Sequence, residues 1–180
     1  MKYPLKYGFT LIEIVVVISI IAMISILVSR VLISMVKTTM SYEAAKEVKQ
    51  NGNFALDTLV RLIQNAKTVD ISPCPDIGAT RVATTAAHII NLDDSYVDVM
   101  CSEFSRTSRM IVTSPGKSPY FLTTSSVSLW DGKTGQSCFY GPLQFVCTSV
   151  GGKPSSVLIN FGLSSSTVKQ IFSTTVSLRN

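Results

Sequence analysis

An unbroken apolar run near the start of the chain constrains everything that follows it. Between Ile14 and Ser29 there is no charged residue, no proline and no glycine. With Phe9–Glu13 added, the segment approaches the ~20 residues that a helix needs to cross a bilayer core of ~30 Å. Val and Ile dominate it, which lowers helix propensity in water. In lipid the backbone has to satisfy its own hydrogen bonds, and a helix does so. Lys2 and Lys6 precede the run with no acid to offset them, which predicts a cytoplasmic N-terminus and an exported remainder. Arg30 and Lys37 beyond the run are a mild counter-signal.

The order of the parts also matters. An ordinary secretory signal places its small-residue cleavage site after the apolar core. Here the small residue, Gly8, comes before it. Cleavage between Gly8 and Phe9 would leave the hydrophobic segment on the mature protein. Glu13 then needs a reason, because a carboxylate within an apolar membrane helix costs several kcal/mol unless paired. One reading keeps Glu13 hydrated near the interface. The other supplies a cation at the same depth: the α-amino group that cleavage would create on Phe9, one helical turn away.

Gly8-Phe9-Thr10-Leu11-Ile12-Glu13 closely resembles the cleavage and methylation motif of type IV pilins and of type II secretion pseudopilins. The resemblance implies an aspartyl prepilin peptidase that cuts after Gly8 and methylates the new terminus at Phe9. It also implies that Glu13 meets the terminal amine of a neighbouring subunit and sets the register of assembly. Two opposite charges in lipid attract strongly and neither is stable alone, which agrees. The partners implied are the prepilin peptidase, other pilin or pseudopilin subunits, an inner-membrane assembly platform and the lipid bilayer. The location implied is a single-pass inner-membrane protein, later part of an extracellular or periplasmic filament.

Beyond Arg30 the pattern turns amphipathic without stopping. Ala45, Val48, Gly52, Ala55, Leu56, Leu59, Leu62, Ile63 and Ala66 fall at three- and four-residue steps. Glu43, Lys46, Glu47, Lys49, Gln50, Asp57 and Arg61 fill much of the remaining surface. No proline occurs between Phe9 and Ile71. One helix over Phe9–Lys67 is expected, on the order of 85–90 Å at 1.5 Å per residue. Gly52 costs a helix interior roughly 1 kcal/mol and marks a bend, a close contact or a tolerated residue. The stretch Asn53–Ala66 resembles the same helix in minor pilins and minor pseudopilins, and no proline stands near Arg30 where major pilins usually carry one.

Pro73-Cys74-Pro75 is expected to end the helix and open a head. Strand candidates follow at Ala87–Leu92, Tyr96–Cys101, Met110–Thr113, Tyr120–Thr123, Ser126–Trp130, Leu143–Thr148, Ser156–Phe161 and Ile171–Leu178. Asp131-Gly132, Gly151-Gly152 and Ser114-Pro-Gly116 are turn signals. The last segment, Phe172–Asn180, alternates like an edge or penultimate strand. The expected fold is α+β and pilin-like, with the long helix packed on a C-terminal antiparallel β-sheet head. The expected divisions are a leader over 1–8, a membrane and assembly half over 9–30, an amphipathic half over 31–70, and a head over 71–180.

Other chemistries find little support. The formal charge is +5, but removing Lys2 and Lys6 with the leader leaves 14 basic against 11 acidic side chains, or +3. No Lys/Arg run interleaves with aromatics, which argues against nucleic acid as a partner. Cys74, Cys101, Cys138 and Cys147 all follow the apolar segment, with no C-x-x-C pair. An even count in an exported domain reads as two disulfides, with Cys74–Cys101 and Cys138–Cys147 preferred because each closes a local loop. A zinc site would need all four, or three with His88, and buried free thiols are the other alternative.

The nucleotide-binding, hydrolase and metalloprotease motifs are absent, and a catalytic Ser or Cys would have only His88 as its base, one lone histidine among many serines. No cofactor or metal is expected. Asp93, Asp94 and Asp98 lack an EF-hand spacing and read as a solvated turn before a strand rather than as calcium ligands. Trp130 and Tyr140 read as core or rim aromatics. The expected function is a non-enzymatic filament subunit. The alternatives are a major pilin for adhesion or DNA uptake and, from a different class, a membrane-anchored enzyme or receptor whose first helix is only an anchor.

Overall fold

The structure is a computed structural model that describes Gly8, residues 10–71, Cys74, 83–105, 107–130, Cys138, 141–150, 153–166 and 168–178. It has one long helix, α1 (Leu11–Gln64), followed by β1 (Ala66–Asp70), β2 (Ala83–Thr84), β3 (Ala86–Asn91), β4 (Tyr96–Phe104) and β5 (Thr107–Ser114). Then come β6 (Lys117–Phe121), β7 (Ser128–Trp130), β8 (Leu143–Val150), β9 (Lys153–Ser164) and β10 (Lys169–Ser177). The chain divides into two compact units, Met1–Tyr42 and Glu43–Asn180.

In the first unit the described part of α1 is exposed at every residue. Its hydroxyls do not interrupt the apolar surface. Ser19, Ser25 and Ser29 each donate to the carbonyl four residues back, on Val15, Ile21 and Ser25, at 2.8 Å. Folding a hydroxyl onto its own helix satisfies it without water, as a lipid-facing helix requires.

In the second unit α1 buries one stripe: Val48, Gly52, Ala55, Leu59 and Ile63. These are steps of three and four, the spacing of one helical face. The stripe joins one hydrophobic core that takes alternate residues from the strands, including Ile89, Val99, Met110, Phe145, Ile159 and Phe161. This is the α+β, pilin-like arrangement of helix on antiparallel sheet. The head holds two sheets rather than one. The first runs β1-β3-β4-β5-β6; the second runs β10-β9-β8-β2, with β7 also paired to β9. The sheets meet where β5 lies beside β7, and there the backbone N–H of Ser108 donates to Ser128 Oγ at 3.0 Å.

Each of the eight strand candidates overlaps a strand, and most of the strands are longer than the alternation suggests; β6 ends at Phe121 and β7 keeps only Ser128–Trp130 of its candidate. The last is an edge strand: β10 pairs with β9 over an unbroken nine-residue register. Ser114-Pro-Gly116 is the β5–β6 turn, with Gly116 at φ 70°, a left-handed conformation that glycine adopts without steric cost. The Asp131-Gly132 and Gly151-Gly152 signals, Pro73, Pro75 and Tyr140 lie outside the described residues.

The helix corrects one expectation. It ends at Gln64, well before Pro73, and Ala66–Asp70 is strand β1, paired with β3. Ala66 fits the helical stripe by spacing. It is buried instead as the first residue of a strand, and β-branched Thr68 and Val69 continue it.

Candidate functional site

The N-terminal junction is built around Thr10. Its carbonyl accepts from the N–H groups of Glu13 at 3.1 Å and Ile14 at 3.3 Å. Its Oγ1 accepts from the Glu13 N–H at 3.4 Å. Thr10 is thus the N-cap of α1, and Thr10-x-x-Glu13 has the form of a capping box. The Thr10-x-x-Glu13 spacing is the sequence signal that marks this helix start. Glu13 sits in the first turn of the helix, where the helix dipole favours a carboxylate.

Both Gly8 and Glu13 are exposed. Apart from its chain neighbours, no described residue lies within 4 Å of the position that a Cβ on Gly8 would occupy. Phe9 lies outside the described residues. From Leu11 onward α1 is long and apolar enough to cross a membrane. Leu11 is 82% exposed and Ile12 72% at the start of the helix that follows the junction.

The cysteines form two disulfides, Cys74–Cys147 and Cys101–Cys138. The local pairing Cys74–Cys101 with Cys138–Cys147 is therefore corrected. Cys101 lies on β4 of the first sheet and Cys147 on β8 of the second, so neighbours in sequence are carried apart. Cys147 is wholly buried. Among the described residues there is no free cysteine, and no three His, Cys, Asp or Glu side chains converge as metal ligands.

The three aspartates face three different partners. Asp93 accepts from the Ser95 hydroxyl at 2.6 Å and the Ser95 N–H at 3.1 Å. The hydroxyl first, and the N–H second, hold its carboxyl below the ordinary value. Asp94, at φ 60°, turns the β3–β4 hairpin and accepts from Lys67 Nζ at 2.5 Å. Asp98 pairs with His88 directly across β3 and β4, and Tyr96 packs on the imidazole with ring centroids 4.9 Å apart. The lone histidine therefore has a carboxylate partner that only strand register brings to it. On β5, burial lowers the Arg109 pKa. Its guanidinium lies over Phe121 at 3.8 Å and donates to the Thr123 carbonyl, 3.1 Å from Nε.

Comparison with known proteins converges on the N-terminal segment. Residues 5–29 match the family model for the prokaryotic N-terminal methylation motif. No curated protein and no solved structure matches the chain. The motif match supports the type IV pilin and pseudopilin family for this chain.

Proposed function

We propose that this type IV pilin-like chain is a structural subunit of a type IV pilus or a type II secretion-like pseudopilus. In this reading it is cut between Gly8 and Phe9, methylated on Phe9, and assembled through its N-terminal helix. The observation that carries the reading is a coincidence: the motif over residues 5–29 runs into an apolar helix whose residues from Leu11 to Ser29 are all exposed. Proteins that carry this motif are structural rather than enzymatic.

The steps follow from the residues. The leader, residues 1–8, orients the chain through Lys2 and Lys6. Hydrolysis of the Gly8–Phe9 amide releases an α-amino group beside the Thr10 cap. That cation and the Glu13 carboxylate of a neighbouring subunit then neutralise one another in lipid, where each alone is unfavourable. The helix surface after Glu13 exchanges lipid for neighbouring helices, and packing alone holds it there. The absence of proline near Arg30 and the resemblance of Asn53–Ala66 favour a minor subunit over the bulk one. The prepilin peptidase, the other subunits and the assembly platform are the partners in this scheme.

Mass spectrometry of the mature N-terminus tests it. The expected product begins at methylated Phe9; an intact Met1, or cleavage after the apolar run, would reject the proposal. Glu13→Ala should leave membrane insertion unchanged and reduce recovery of the subunit in sheared filaments. Equal recovery would remove Glu13 from the register. A chain that stays in the membrane and never enters a filament would instead be an anchored receptor or enzyme.

A further inference from the structure

The outer face of the second sheet carries a hollow of about 110 Å³ that the helix-based reading does not use. Its floor is Gly162 on β9, flanked in register by Trp130 on β7 and Ile171 on β10. Trp130 and Ile171 therefore stand as two walls on strands either side of β9, about 9.5 Å apart by two inter-strand spacings. The absence of a side chain at residue 162 lets the Trp130 backbone approach β9 closely. A Cβ there would run into the Trp130 carbonyl oxygen.

One end of the hollow is polar in a specific way. Gln144 and Asn160 are register partners on β8 and β9, both half-buried, and both line the hollow. Neither side-chain amide bonds to another described residue. Each has two donors and an acceptor with two lone pairs to offer. Beside the hollow, the Lys169 ammonium sits 4.7 Å from the centre of the indole ring. Ile171 is 60% exposed, although β10 has buried positions at Phe172 and Val176.

From this geometry we infer a binding site for one hexopyranose unit of a glycan. A pyranose ring has apolar C–H faces and a rim of hydroxyls that both donate and accept. The indole and Ile171 match the faces, while the paired amides and the ammonium match the rim. A hollow of about 110 Å³ is several times the ~10–15 Å³ that one water needs on the same measure, so it has room for a ring-sized group. The ring displaces the Lys169 ammonium from the indole face, and the freed ammonium donates to a hydroxyl. Affinity is accordingly weak, and specificity lies in the hydroxyls that reach Gln144 and Asn160.

The chain has a single tryptophan, so its fluorescence reports on this hollow. Full-length protein in a sugar-free zwitterionic detergent is titrated with methyl hexopyranosides, with open-chain sorbitol and a nucleoside as controls. A saturable change in Trp130 emission is expected with a hexopyranoside, accompanied by NMR shifts of the Gln144 and Asn160 side-chain amides. Asn160→Ala should weaken binding on the order of fivefold, the equivalent of one neutral hydrogen bond. Ile171→Ala, at an exposed position, should weaken it while leaving thermal unfolding unchanged. No saturable response to any hexopyranoside overturns the inference. So does an equal response to sorbitol, a response to the nucleoside alone, or binding indifferent to both substitutions. None of these outcomes touches cleavage at Gly8 or assembly through the helix, which are read separately.

Discussion

Gly52 shows how much one residue can decide. It lies on the buried stripe of α1, and a Cβ added there would fall 2.0 Å from Cζ of the Phe172 ring of β10. Gly52→Ala would gain roughly 1 kcal/mol of helix propensity. Overpacking a filled core costs typically about 1–3 kcal/mol, and the collision is with a ring rather than a flexible tip. A net loss of stability is expected by thermal unfolding, and Phe172→Leu in the same chain should recover part of it. An Ala variant as stable as the parent would show that the ring has room to move. In sequence, Gly52 announced only that something was special; the partner lies on the last strand and no local pattern points to it.

Asp93 gives a pH test at the same scale. Its folded pKa is held below 3.8 chiefly by the Ser95 hydroxyl. The stability that this ionised carboxylate contributes is present above its unfolded pKa and lost as pH falls through the folded one. Ser95→Ala should move the titration of Asp93 up towards 3.8, followed by carboxyl-carbon NMR, and shrink the stability that is lost on acidification. A titration that does not move would assign the shift to other groups.

At the scale of elements, the sequence was most legible where periodicity is strong. Alternation marked β3 to β10, and the three- and four-residue steps marked the buried stripe from Val48 to Ile63. It failed where an element is short or ambiguous. β2 is two residues long and has no period to read. β1 begins at Ala66, whose spacing serves helix and strand equally. The fastening of the helix to the β6–β7 connection was also hidden. Asn51 Oδ1 accepts from the Thr124 N–H at 3.1 Å, and Glu47 accepts from the Ser126 hydroxyl. These partners are 73 and 79 residues apart. Asn51→Ala removes the acceptor and should cost about 0.5–1.5 kcal/mol of head stability by denaturant titration. Hydrogen exchange at the Thr124 amide should quicken; unchanged exchange would mean water replaces the bond.

At the scale of the whole molecule, the N-terminal junction was readable because its meaning lies in order and composition. The cysteine pairing was not, because it depends on which sheet each strand joins. Non-reducing peptide mapping should recover Cys74 linked to Cys147 and Cys101 linked to Cys138; Cys74–Cys101 peptides would contradict the fold. Replacing either pair with serine should destabilise the head by about 2–5 kcal/mol. The first bridge has a mechanical consequence. A pull along α1 passes through β1 and reaches Cys74, where the covalent path forks. One branch is the chain itself; the other crosses a single bond to Cys147 on β8, an interior strand of the second sheet. The shorter branch is the stiffer, so tension shunts past the 73-residue span between the two cysteines. Covalently, β2 to β7 then form a side loop, which α1 still grips through Asn51 and Glu47 at the β6–β7 connection.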